Sequence, residues 1–219
     1  IAAANGQFVH AAVAVFIAAV MDGIDGRVAR MTGTSTDFGV QYDSLADLVS
    51  FGMAPSLVMY HWALVGFRAD GPVRAKVGWA AAFLYAACAA LRLARFNTQV
   101  GSTDKRWFIG LASPAAAGLV VSRVWAVNAF GFSGQNLRWL ALSVTVAAGL
   151  LMVSRIKYFS FKGFPKGERV PFFVLLLIVL VIAALFIAQA KGLLAIAAAY
   201  TLSGPAWWAW TRMRRKPAA

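Results

Sequence analysis

The stretch Asp22-Gly23-Ile24-Asp25-Gly26-Arg27-Val28-Ala29-Arg30, followed by Gly39, Asp43 and Asp47, decides how this chain is read. Five of the chain's eight acidic residues, Asp37 included, fall between positions 22 and 47. The sequence around them is strongly apolar. A carboxylate near the centre of a bilayer costs about 2.5–3.5 kcal/mol, so one retained there normally has a partner and a task.

The spacing indicates the task. Asp22 and Asp25 stand three apart and Asp43 and Asp47 four apart, so on helices each pair shares a face. Two such helices facing each other bring four carboxylates together, and that cluster repels itself unless cations intervene. Oxygen-only ligands favour hard divalent ions, Mg²⁺ or Mn²⁺. Gly26 permits close backbone approach beside Asp25, and Arg30 supplies a cation of the kind that binds phosphate. Gly33-Thr34-Ser35-Thr36 forms a polar turn between the pairs, with hydroxyls and N–H groups to offer. The set suits a substrate carrying a pyrophosphate.

Working outward, the 219 residues are 61% hydrophobic and only 13% charged, which excludes an ordinary soluble domain. The expected fold is all-α: a polytopic integral membrane bundle forming one domain over 1–219, with a core over about 8–160. Apolar runs lie at about Phe8–Met21 (continuing as a helix to Arg30), Asp43–Phe67, Val77–Leu93, Ser113–Phe132, Leu137–Val153, Pro171–Ala190 and Leu193–Trp210. Several approach the ~20 residues that cross a bilayer, giving about seven transmembrane helices. The last two runs are separated only by Lys191-Gly192, which predicts a tight helical hairpin over about 171–211.

The net charge of +13 does not imply nucleic acid, because the basic residues are dispersed between apolar runs and suit anionic lipid instead. With seven crossings alternating from Arg30 on the cytoplasmic side, fifteen Lys and Arg fall on that side and five opposite. This predicts a cytoplasmic-membrane protein whose aspartates face the cytoplasm. The single cysteine, Cys88, excludes an intramolecular disulfide. His10 and His61 have no histidine at ligand spacing, and the tryptophans, Trp207, Trp208 and Trp210 among them, suit interfacial anchoring.

The pattern Asp-x2-Asp-Gly-x2-Ala-Arg-x8-Gly-x3-Asp-x3-Asp resembles the signature of the CDP-alcohol phosphatidyltransferases, and residues 22–47 match it at all eight fixed positions. Two further segments, Leu91-Arg92-Leu93-Ala94-Arg95-Phe96-Asn97 and Phe108 to Ala117, resemble the phosphatidylserine synthase branch of that family. Ala112 stands where that branch commonly has proline. Residues from Met152 to Lys162 are similar to the same branch.

The resemblance implies transfer of a phosphatidyl group from CDP-diacylglycerol to L-serine with release of CMP. It implies two divalent ions held by Asp22, Asp25, Asp43 and Asp47, with Asp47 as general base for the serine hydroxyl. It implies contacts from Gly26, Arg30 and Thr36 to the CDP moiety, a homodimer, and a further helix ahead of Phe8 for which residues 1–7 are too few. Arg92, Arg95, Asn97 and Lys162 are the candidates to hold the serine carboxylate, Arg95 foremost because it adjoins Asn97 at its helix end. The same cations suit a phosphorylated acceptor, so glycerol phosphate and inositol phosphate remain as rivals. An intramembrane prenyltransferase, or a non-catalytic scaffold or transporter, is the alternative from another class.

Overall fold

The computed structural model describes residues 1–32, 36–98, 107–159 and 172–214. The first helix, α1 (Phe8–Thr32), is rich in alanine and carries exposed Ile17, Val20 and Ile24, an outward apolar surface suited to lipid. The second, α2 (Asp37–Asp47), starts at Thr36, whose side chain accepts a hydrogen bond from the Gly39 N–H at 3.0 Å and so caps one of the orphan donors.

Past Asp47 the helix does not end but widens into a π-helical segment, Leu48–Met53. It then returns to α geometry in α3 (Ala54–Trp62), with Pro55 in the first turn where a missing N–H is tolerated. A tighter 3₁₀ segment, Leu64–Asp70, follows. Two contacts hold the wide segment in place. The buried Tyr85 hydroxyl donates to the Phe51 carbonyl at 3.2 Å. A Cβ on Gly52 would stand 3.0 Å from both Ala89 Cβ and Leu48 Cδ1, so any larger residue would press this turn away from its neighbour by a few tenths of an ångström.

That neighbour is α4 (Pro72–Thr98), which packs on α6 (Arg138–Val153); α5 (Ser113–Ala129) packs on α1 and on α7 (Phe172–Arg214). The core between them is built on Tyr85, Met59, Phe67, Met152 and Leu111, with a second cluster of Phe51, Val15 and Val121 between α1 and α5. A two-stranded antiparallel ribbon, β1 (Trp107–Ile109) with β2 (Lys157–Phe159), closes one end of the bundle. Its register pairs Phe108 with Tyr158. The Tyr158 hydroxyl donates to the Thr201 carbonyl of α7 at 3.1 Å, and burial pushes its pKa up to about 12.

The expectation of seven crossings is not confirmed. Among the described residues three helical stretches are long and apolar enough to span a membrane: Phe8–Gly26, Pro72–Thr98 and Gly134–Val153. A fourth is a broken one, Phe38–Trp62 bent by 42° into Leu64–Asp70, where the sequence predicts a single run.

The structure differs from the expected hairpin at Lys191-Gly192, because α7 runs unbroken through both residues. Lys191 Nζ lies 4.3 Å from the centroid of the Phe130 ring, which offsets the placing of a charge there. Glycine within a helix costs only about 1 kcal/mol relative to alanine, too little to force a turn. The 43 residues of α7 span roughly 65 Å at the α-helical rise, about twice a bilayer's hydrocarbon core. Its later part runs from Phe130, beside Lys191, to Arg155 and Lys157, beside Arg212.

Candidate active site

Each aspartate pair lies on one helix, as the spacing predicts: Asp22 and Asp25 on α1, Asp43 and Asp47 on α2. The fold brings the pairs together through one member of each. The Asp22 and Asp47 carboxyls are within hydrogen-bonding reach of one another, and Asp43 is close enough to both for its charge to be felt. Asp25 reaches Asp22 in the same electrostatic sense. Asp22 and Asp47 are half-buried, whereas Asp25 and Asp43 are exposed. Among the described residues no three carboxylate, histidine or cysteine side chains converge at metal-ligand geometry. The four aspartates therefore share a site without closing into a cage.

One atom in this site stands out. Asp47 Oδ1 is buried and has no hydrogen-bond partner. A carboxylate oxygen removed from water without a partner is costly, and a second carboxylate alongside compounds the cost. A cation between Asp22 and Asp47 resolves both problems. The donors are all carboxylate oxygens, so a hard divalent ion fits the residues present.

Among the described residues Arg92 on α4 is a cation whose charge Asp47 feels directly. Its Nη1 donates to Ser113 Oγ at 2.7 Å, and Ser113 is fully buried at the start of α5. The phenol of Tyr200, from α7, is also near enough to Arg92 to interact with it. Tyr200 stacks obliquely on Tyr158, with centroids 5.7 Å apart. Asn97 donates from Nδ2 to Ser44 Oγ at 3.0 Å, tying α4 to α2 one residue from Asp43.

Arg95 has a different setting. Its Nη1 donates to the Val153 carbonyl at 2.8 Å and the Ser154 carbonyl at 3.5 Å, the last carbonyls of α6. A cation there satisfies acceptors the helix leaves open and complements its dipole. Thr36 is committed to capping α2, and the short distance from its Oγ1 to a Cβ placed on Gly39, 3.2 Å, accounts for glycine at that position. Gly26 is partly exposed on α1. The Arg30 side chain, Gly33-Thr34-Ser35 and Lys162 lie outside the described residues.

Three contributors were not singled out by sequence reasoning. Ser44 adjoins Asp43 and Ser113 lies within a quoted segment, so both were within reach of a closer reading. Tyr200 carries no local signal, because its relation to Arg92 exists only once α7 packs on α5.

The sequence profile of the CDP-alcohol phosphatidyltransferase family matches residues 1–151. The chain is 42% identical over 178 residues to a CDP-diacylglycerol–serine O-phosphatidyltransferase of Helicobacter pylori, covering 81% of this chain and 71% of that one. It is 35% identical over 144 residues to a protein of the same name from Methanocaldococcus jannaschii, covering 66% and 61%. An archaetidylserine synthase of Methanothermobacter thermautotrophicus is 34% identical over 156 residues, covering 70% and 60%.

Proposed function

Because this chain belongs to the CDP-alcohol phosphatidyltransferase family, we propose that it moves the phosphatidyl group of CDP-diacylglycerol onto the hydroxyl of L-serine. The products are phosphatidylserine and CMP. The serine oxygen bonds to the phosphorus that bears the diacylglycerol, the pyrophosphate P–O bond breaks, and CMP departs with that bridging oxygen. Relatives named for the serine reaction, in a bacterium and an archaeon, support the choice of acceptor.

The observation that carries the reading is the half-buried Asp47, with one unpartnered oxygen, set between Asp22 and Arg92. Asp22, Asp25, Asp43 and Asp47 would hold divalent ions, two by family resemblance, and these would supply charge neutralisation at the pyrophosphate. Asp47 takes the proton of the serine hydroxyl, a role that requires hydrogen-bond reach to it. By family resemblance Gly26, Arg30 and Thr36 would contact the CDP moiety.

Arg92 is the cation best placed for the serine carboxylate, because it lies next to Asp47 and is oriented by Ser113. Arg95 acts behind it, holding the end of α6. Asn97 orients α2 through Ser44. Arg92, Arg95, Arg155, Lys157 and Arg212 gather at the end of the bundle that carries the aspartates, which supports a cytoplasmic orientation in the cytoplasmic membrane. A homodimer completes the reading by resemblance, and a mass measurement in detergent checks it.

The test is purified protein with CDP-diacylglycerol, Mg²⁺ or Mn²⁺, and a panel of labelled serine, glycerol phosphate and inositol phosphate. Labelled phosphatidylserine, dependent on the ion, is the expected product. A phosphorylated lipid product from the other acceptors in place of it would remove the serine assignment.

A further inference from the structure

At the end of the bundle that carries the ribbon, β2 and the last turns of α7 enclose a half-open cavity of about 540 Å³. Its lining is Arg155, Lys157, Trp207, Trp208, Thr211 and Arg212, and it includes none of the aspartate-site residues. Three of the six are cations and none is an acid. The Arg212 guanidinium lies 5.1 Å from the centroid of the Trp208 ring, which fixes it on the cavity wall. Among the described residues the ion pairs join Asp70 to Arg74 and to Arg138, away from this cavity, and no described carboxylate neutralises it. Three converging cations repel one another until an anion sits among them.

The tryptophans say at what depth this happens. Trp207 and Trp208 are each about half exposed, at 52% and 49%, and exposed Leu202 lies along the same helix. Amphipathic rings of this kind sit at headgroup level, with apolar helix surface continuing into the acyl region. Basic pockets between helices at that level take anionic headgroups, and the volume lies in the range of small-ligand sites.

We propose that this cavity binds the phosphate headgroup of an anionic membrane phospholipid, as a lipid site separate from the reaction centre. The cations hold the phosphate, and the acyl chains lie along the outer face of α7. The same cations would accept a free phosphate. The tryptophans and the apolar helix face favour the lipid.

The experiment uses the full chain, delipidated in a neutral detergent. Native mass spectrometry follows retention of added dioleoyl phosphatidylglycerol against dioleoyl phosphatidylcholine, with and without inorganic phosphate. Wild type should retain phosphatidylglycerol in preference to phosphatidylcholine. The double variant Arg155→Gln/Lys157→Gln should bind it roughly ten- to thirtyfold more weakly, on the basis of about fivefold per cation. Lys76→Gln, an exposed cation at the start of α4, should bind as wild type does. Turnover of CDP-diacylglycerol in neutral micelles, unchanged in the double variant, shows that it has folded and keeps this test independent of the serine assignment. Equal retention of the two lipids, or undiminished retention by the double variant, overturns the proposal. Displacement of the lipid by inorganic phosphate at matched headgroup concentration also overturns it, by making the site one for a free anion.

Discussion

Replacing Arg92 with alanine separates the two arginines, of which the sequence put Arg95 foremost. In the fold, Arg92 Nη1 donates to Ser113 Oγ at 2.7 Å beside Asp47, whereas Arg95 Nη1 is bound to the Val153 carbonyl at 2.8 Å. If Arg92 receives the serine carboxylate, its removal deletes a charged hydrogen bond worth about 1.5–3 kcal/mol. That converts to a rise in serine KM of roughly ten- to hundredfold. Binding of CDP-diacylglycerol should change little. Arg92→Lys should recover part of the loss, since charge survives without the planar fork. Ser113→Ala, which keeps the cation but frees it to swing, should cost about 0.5–1.5 kcal/mol and so a smaller rise. Arg95→Ala should behave differently: it loses the α6 carbonyl contacts and lowers the thermal midpoint by roughly 3–10 °C, with serine KM close to wild type. The assay is a serine titration at saturating CDP-diacylglycerol, paired with a nucleotide-binding measurement and a thermal melt in the same detergent. An unchanged serine KM in Arg92→Ala, or a large KM effect with unchanged stability in Arg95→Ala, would refute this division of roles.

Asp22→Asn, Asp25→Asn and Asp43→Asn should each reduce turnover to background, as should chelation of the wild type; activity surviving in chelator would end the divalent-ion reading. Asp47→Asn should lower kcat by a larger factor than it weakens CDP-diacylglycerol binding, because its proposed part is in the transition state; equal losses, tracking metal occupancy, would leave it a ligand only. Tyr85→Phe removes the hydrogen bond to the Phe51 carbonyl and leaves that buried acceptor open, at a cost of about 1–3 kcal/mol that a thermal melt would register. Tyr158 should ionise near pH 12 instead of near 10, because burial disfavours the phenolate. Its folded pKa is raised, so the associated stability is intact below about pH 10 and is lost as the pH rises through about 12, which ultraviolet difference titration of wild type against Tyr158→Phe can follow.

Much of the architecture was legible because apolar run length is a strong signal in a lipid solvent. The structure keeps the runs that predicted α1, α4, α5 and α6, extending α4 at both ends to Pro72 and Thr98. The pairing of aspartates was legible for the same kind of reason, since spacings of three and four leave little choice of face. The break in the second run was not. Composition does not distinguish α, π and 3₁₀ turns, and the wide turn at Leu48 depends on Gly52 meeting Ala89 and on Tyr85 reaching Phe51, both contacts with α4. Lys191-Gly192 misled because a lysine in an apolar run reads as a terminus until an aromatic ring is found beneath it. The division of labour between Arg92 and Arg95 was equally hidden, because two arginines three positions apart at one helix end differ only in what α5 and α6 present to them.

The wide turn over Leu48–Met53 sets a phase relation between two halves of one span. Each residue of an α-helix advances the direction of its side chains by about 100°. A π segment holds more residues per turn, so it offsets whatever precedes it against whatever follows. Below it, α3 is locked in azimuth by the buried Val58, Met59 and Trp62. Above it, α2 takes the angle that the offset dictates, and that angle faces Asp47 toward Asp22. Deleting a single residue within Leu48–Met53 lets the ladder return to ordinary α pitch, with better hydrogen bonds and a sturdier helix. The core does not rotate, so the swing falls on α2, and its Asp43 and Asp47 carboxylates turn about 100° out of alignment with α1. The chain would thus become a more regular helical bundle at the moment its two acidic faces stopped meeting.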